Sequence, residues 1–187
     1  ATGTAAARAP KALRKLNIGT SSGAFGPVDN WTAETFAKAV AEGVEYVEIG
    51  AGTLFLDKRD TTDALVEARC RKVKAAMDAA GMKVWSVHMA FGRTIDISET
   101  DEEVRSQTVE LHKRVLRFCG IMKPKYVLFH PSWFLRADER PQRIAQLVRS
   151  VNELRPDVKR IGATMVIENM LGYDLVRKEN QEWPLNR

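Results

Sequence analysis

From Leu16 onward one hydropathy pattern recurs along the chain. A short apolar run leads into a turn, then into a stretch with apolar positions three and four apart that closes near a glycine. The runs begin at residues 16, 44, 83, 126 and 164. They are Leu16–Thr20, Val44–Ile49, Lys83–Met89, Tyr126–His130 and Thr164–Glu168. Their length and their content of Val, Ile and aromatic side chains predict strands. The intervening stretches predict helices. Thr32 is placed to cap a helix carrying Phe36, Ala39 and Val40, with Gly43 as its stop. A helix from about Thr62 carries Leu65, Val66, Val73 and Met77 and ends at Gly81. In a third helix Thr100 and Glu103 have capping-box spacing. Val104, Leu111, Val115 and Phe118 form its apolar stripe, and Gly120 marks its end. A fourth carries Ile144, Leu147, Val148, Val151 and Leu154, and Pro156 is expected to kink or interrupt it.

Strands alternating with helices imply a parallel sheet, because parallel neighbours need crossover connections. The expected architecture is α/β, with five strands and four or five helices. A closed eight-stranded barrel of this kind takes about 250 residues, and this chain has 187. Two architectures fit: an open parallel sheet, or the first five βα units of a barrel.

Composition narrows the class. Hydrophobic residues make up 44% and charged residues 28%, so there is enough apolar surface to fold a core. No apolar run is long enough to span a bilayer. Twenty-nine Lys and Arg against 24 Asp and Glu leave a formal charge of +5, spread over the helices rather than gathered in a stripe. That argues against a dedicated nucleic-acid surface. Cys70 and Cys119 fall within helical patterns and read as small buried apolar residues. Residues 1–15 stand apart as a low-complexity Ala/Thr-rich tail. Ala7-Arg8-Ala9 has the form of a signal cleavage site, so this tail is either the remnant of an export signal or a disordered terminus. Export would place the protein in the periplasm; without it the expected location is cytoplasmic.

In parallel α/β folds ligands bind at the carboxyl ends of the strands. There this sequence places Glu48, His88, His130 and Glu168. Strand alternation puts each on the same face as the residue two before it, namely Tyr46, Ser86, Leu128 and Val166. If those faces point inward, two imidazoles and two carboxylates meet at one rim, a donor set suited to a divalent cation. Singly, a histidine at a strand end is as readily structural, and Glu48 alone reads as an acceptor of hydrogen bonds. Glu168 differs, because a carboxylate closing a buried strand is costly unless it is ligated or paired. His112 lies within a helix and reads as structural or exposed.

The loops after these strands add Phe25, Phe91, Arg93, Trp133, Phe134 and Arg136. Their rings could wall a pocket and their guanidinium groups could hold an anion. The Gly-rich segment 19–26 is neither a dinucleotide fingerprint nor a P-loop, and neither a nucleophile elbow nor a CxxC motif occurs.

At Gly43–Ile49, Ser86–His88, Val127–Pro131 and Val166–Asn169 the sequence resembles the xylose isomerase-like TIM barrels, over residues 16 to about 172. This superfamily includes sugar and sugar-phosphate isomerases and epimerases, and apurinic-site endonucleases. The resemblance implies a (β/α) barrel with its first five units in residues 16–187. It implies a metal-dependent sugar or sugar-phosphate isomerase or epimerase that moves a proton next to a carbonyl. Glu168 matches a metal ligand of the isomerase branch. His88, His130 and Glu168 match zinc-binding positions of the endonuclease branch. The implied catalytic set is therefore His88, His130 and Glu168. Glu168 is the metal ligand, and His88 and His130 are further candidates for it. Glu48, Phe91, Arg93, Trp133 and Arg136 are the implied substrate contacts. The implied cofactor is a divalent ion (Mn, Mg, Co or Zn), the implied partner a small sugar or sugar phosphate, and a homo-oligomer is compatible. The alternatives are a zinc-dependent phosphodiesterase acting at apurinic sites, and a catalytically inactive carbohydrate-binding or assembly protein.

Overall fold

A computed structural model of the chain describes residues 16–56, 62–133 and 138–169. The Ala-rich tail, Phe134, Arg136 and the segment after Asn169 lie outside these residues. Among these residues five strands form one sheet: β1 (Ile18–Ser21), β2 (Val44–Gly50), β3 (Lys83–His88), β4 (Tyr126–Phe129) and β5 (Thr164–Ile167). All four neighbouring pairs are parallel, and the strand order is the chain order. A doubly wound sheet reverses direction at a switch point. This one advances steadily in one direction, as the wall of a βα barrel does, which resolves the choice left open by the strand count.

Four long helices make the crossovers: α1 (Ala33–Ala41), α3 (Asp63–Ala80), α4 (Glu102–Met122) and α5 (Arg140–Arg160), with a single turn, α2 (Ala51–Leu54), after β2. Val47, Ile49, Val87, Val127 and Phe129 alternate along the strands and are buried against Phe36, Val66, Val73, Met77, Val115, Cys119 and Leu154 of the helices. Each fully buried Val, Leu or Phe in such a layer contributes roughly 1.5–3 kcal/mol. Cys70 and Cys119 are buried within it and form no disulfide, and burial pushes the Cys119 thiol well above its ordinary pKa.

Local chemistry explains the helix ends. Thr32 and Thr62 cap α1 and α3 by accepting from the backbone N–H of Thr35 and Leu65. Gly81 closes α3 at φ +76°, and Met82 N–H reaches back to the Met77 carbonyl. Elsewhere the structure departs from expectation. Asp101, not Thr100, caps α4, accepting from Val104 N–H at 3.1 Å. Gly120 does not end α4, which runs on to Met122 with Lys123 in the left-handed region. A Cβ at Gly120 would sit 3.2 Å from Ile161 Cγ2, so this glycine permits close packing instead. Pro156 does not interrupt α5, which is continuous through it.

The buried stripes are also rotated from those expected. Val66, Cys70, Val73 and Met77 face the core of α3, whereas Leu65 is exposed. On α5 the inward line is Arg143, Leu147, Ser150, Leu154 and Val158, and Ile144 and Val148 are exposed. On α4 the buried line includes Arg105, Thr108 and His112, while Val104 is exposed. The polar residues on these inward lines carry no hydropathy signal, so apolar neighbours displaced the assignment by one position. Among the described residues no helix is long and apolar enough to cross a membrane.

Candidate functional site

The inner face of the sheet is organised in layers. Glu48 of β2 is level with Ser86 of β3, Tyr126 of β4 and Thr164 of β5. One layer higher, His88 is level with Gly50, Leu128 and Val166. His130 and Glu168 lie just beyond the ends of β4 and β5, one layer higher still by strand alternation. A register shift between β2 and β3 leaves Trp85 opposite no single residue of β2. Such bulges re-aim a side chain. The Trp85 ring meets Tyr46 and Tyr126, each at 5.3 Å between centroids.

Three of the four rim candidates come together. His88 Nε2, His130 Nε2 and Glu168 Oε2 form a triangle with edges of 3.1, 3.1 and 3.4 Å. Glu48 is not part of it. Its Oε2 accepts from Ser86 Oγ at 2.7 Å, in the layer below His88, beside a cavity of about 420 Å³ that Asn17, Thr20, Tyr46 and Trp85 also line. Glu48 was expected to close its strand, but β2 continues two residues further, and it is Gly50 at its end that stands level with His88.

The triangle is a group that could hold a metal ion, and it is slightly tighter than a zinc-filled site. A tetrahedral zinc with bonds of about 2.0–2.2 Å sets its ligand atoms roughly 3.3–3.5 Å apart. His88 Nδ1 lies 3.2 Å from the Met89 carbonyl oxygen. A carbonyl only accepts, so Nδ1 carries the hydrogen and Nε2 offers its lone pair to the triangle. Glu168 Oε2 is buried with both imidazoles beside it and no hydrogen bond of good geometry. Such an atom is costly to bury unless something ligates it. The His130 pKa is lowered, first by burial and then by the neighbouring His88; Glu168 acts in the opposite sense.

The loops complete the rim. Phe91 stacks on the His130 ring, 3.5 Å between centroids, and lies 5.7 Å from Trp133. Arg93 is exposed in the turn closed by mutual Gly92 and Ile95 backbone bonds. Phe25 packs edge-on against Phe36 and belongs to the core margin. Ser22 Oγ accepts from Gly50 N–H at 3.0 Å and ties the loop after β1 to the end of β2.

What holds the two aromatic loops together is a buried carboxylate that sequence reasoning missed. Asp96 accepts from Ser98 N–H (2.8 Å), Trp133 N–H (2.8 Å), Arg143 Nη1 (3.2 Å) and the hydroxyls of Ser98 and Ser132. It therefore joins the loop after β3, the loop after β4 and the start of α5. The sequence signal was Asp96-Ile97-Ser98, the spacing of an Asx turn.

The order of the strands and a metal-capable His-His-Glu cluster at their carboxyl ends define a βα-barrel protein. The sequence matches the family described as xylose isomerase-like TIM barrel over residues 36–183, and the chain belongs to that family. No curated protein matches the sequence significantly. Solved structures share the fold. D-psicose 3-epimerase from Clostridium cellulolyticum H10, solved with D-tagatose, superposes with a TM-score of 0.64 at 16% identity, over 84% of this chain and 55% of that one. The 3-keto-D-glucoside 4-epimerase of E. coli gives 0.63 at 20% identity, over 85% and 58%. A sugar phosphate isomerase/epimerase from Parabacteroides distasonis gives 0.59 at 13%, over 96% and 62%. The chain thus spans little more than half the length of these relatives.

Proposed function

We propose that the protein acts as a metal-dependent isomerase or epimerase of a sugar or sugar phosphate, with His88, His130 and Glu168 holding the divalent cation. The observation that carries this reading is the triangle of Nε2, Nε2 and Oε2 atoms, with edges of 3.1–3.4 Å, at the ligand-binding end of the sheet. Family membership and the sugar-acting relatives support it.

When bound, a divalent cation polarises a substrate carbonyl and stabilises the negative charge that develops on its oxygen. The other roles belong to the protein. The Met89 carbonyl holds His88 in the tautomer whose Nε2 is free to coordinate. Phe91 covers one face of His130 and, with Trp133, forms an apolar wall that excludes water and can stack on a sugar ring. The Glu48 carboxylate, fixed by Ser86, offers an acceptor to sugar hydroxyls from the layer beneath. Arg93 lies in the rim turn, where it can meet an anionic substrate group.

The test is metal content and turnover of Glu168→Gln beside the wild type. The wild type should bind one divalent ion and catalyse deuterium exchange next to the carbonyl of a ketohexose such as D-tagatose. Glu168→Gln should lose both. Unchanged metal stoichiometry in the variant overturns the assignment.

A second reading rests on the same donor set. Two imidazoles and one carboxylate suit zinc, and by resemblance all three match zinc-binding positions of apurinic-site endonucleases. Cleavage of abasic duplex DNA, with no exchange on sugars, would favour it.

A further inference from the structure

Three buried side-chain atoms among the described residues have no hydrogen-bond partner: Glu168 Oε2, His130 Nδ1 and His112 Nδ1. The first belongs to the triangle of ligand atoms. The residues that carry the other two, His130 and His112, line one small cavity. His112, on α4, is 1% exposed and packs edge-on against Phe129 at 5.4 Å. His112, Phe129, His130, Ser132 and Asp96 all line a cavity of about 10 Å³ behind the rim. A volume of about 10–15 Å³ holds one water, provided that polar partners surround it.

The geometry points to one ordered water shared by His112 Nδ1 and His130 Nδ1, which makes the helix residue His112 the positioning partner of a metal-holding histidine. This rests on the metal reading given above. The two rim histidines differ in a way that demands such a partner. His88 has its Nδ1 against the Met89 carbonyl; His130 has no equivalent. A ligating imidazole gives its lone pair at one nitrogen and must place a hydrogen on the other. For His130 that is a buried Nδ1–H in need of an acceptor.

Water suits this place better than a fixed acceptor would. With a cation on Nε2, His130 Nδ1–H donates to the water, and the water donates to His112 Nδ1. Without one, His130 Nε2 can donate to Glu168 or His88, and the water then donates to both Nδ1 atoms. His112 can accept in both states only while it is neutral. Burial secures that, lowering its pKa to about 4. Among the other groups around this cavity, Asp96 is occupied by Arg143, Ser98, Ser132 and the Trp133 N–H. Both of its oxygens are therefore already engaged.

Two measurements on the full chain test the inference. A high-resolution crystal structure of the metal-free protein should show one water within hydrogen-bond distance of both Nδ1 atoms. A dry cavity, or a side chain filling it, overturns the proposal. The second measurement is Zn²⁺ titration of wild type, His112→Asn and His112→Phe. Asn retains an acceptor near the Nδ1 position and should bind within a few-fold of wild type. Phe keeps the ring but removes the acceptor and should bind roughly 10–100-fold more weakly. Equal affinity in folded His112→Phe overturns the proposal. If His112→Phe does not fold, His112→Gln, which moves the polar end away from Nδ1, takes its place with the same expectation. A wild type that binds no Zn²⁺ refutes the metal reading instead, and the crystal structure then decides the shared water alone.

Discussion

Phe91 lies flat on His130, with ring planes 20° from parallel and centroids 3.5 Å apart. The contact seals one face of the imidazole from water, and burial is the leading cause of its lowered pKa. Phe91→Ala should therefore move the His130 pKa upward, toward the ordinary imidazole value. Ring-proton NMR titration of the metal-free protein measures this directly. A downward shift would mean that Phe91 stabilises the imidazolium more than it desolvates it.

Asp96 and Arg143 are both buried, and Asp96 also gathers the Ser98 and Trp133 N–H groups. Asp96→Asn keeps the shape but removes the charge and part of the acceptor capacity. Hydrogen bonds to charged groups contribute about 1.5–3 kcal/mol each. The variant should lose about 2–3 kcal/mol in urea unfolding. Because Trp133 is anchored through its backbone here, its fluorescence should change in the folded variant as well.

Arg105 is the buried clamp between α4 and α5. Its guanidinium donates to Ser150 Oγ at 2.8 Å, to Glu102 at 2.8 and 2.9 Å, and to Glu153 at 3.0 Å. The same contact lowers the Glu102 pKa to about 2. Arg105→Ala removes the charge and its packed stem together, and should cost about 3 kcal/mol. Arg105→Met restores the stem and should recover part of that loss. Equal losses in the two variants would assign the whole effect to charge.

His112 makes stability depend on pH. Its folded pKa of about 4 lies below the ordinary value of 6.5. Between those values the unfolded chain binds a proton that the folded chain does not. Stability from this group is thus complete above about pH 6.5, falls by about 1.4 kcal/mol per pH unit below it, and levels off under about pH 4. The total is about 3 kcal/mol. Denaturant titrations across this window should give a slope that flattens in His112→Phe.

The fold was legible in the chain because its signals are local. Each strand announced itself by a run of apolar residues, and the caps at Thr32, Thr62 and Gly81 by residue type alone. Helix faces were less legible. Arg105, His112, Arg143 and Ser150 point inward yet look like surface residues, and Ile144 and Val148 look like core yet are exposed. Hydropathy averages over a face and cannot see that a buried polar group has found its partner across 45 residues of chain, as Arg105 has in Ser150.

The sequence by itself determined the strand–helix alternation, the parallel sheet and the presence of His88, His130 and Glu168 at strand ends, since period and residue type are properties of short segments. Only the tertiary structure decided which of those ends stand level. Register between β2 and β3 put Glu48 a layer below His88 and against Ser86, while β4 and β5 carried His130 and Glu168 to within 3.1 Å of each other. Pairing register is set by packing between strands far apart in the chain, and a shift of one residue turns a side chain to the opposite face. That is why the candidate ligands could be read from the chain, but not the triangle they make.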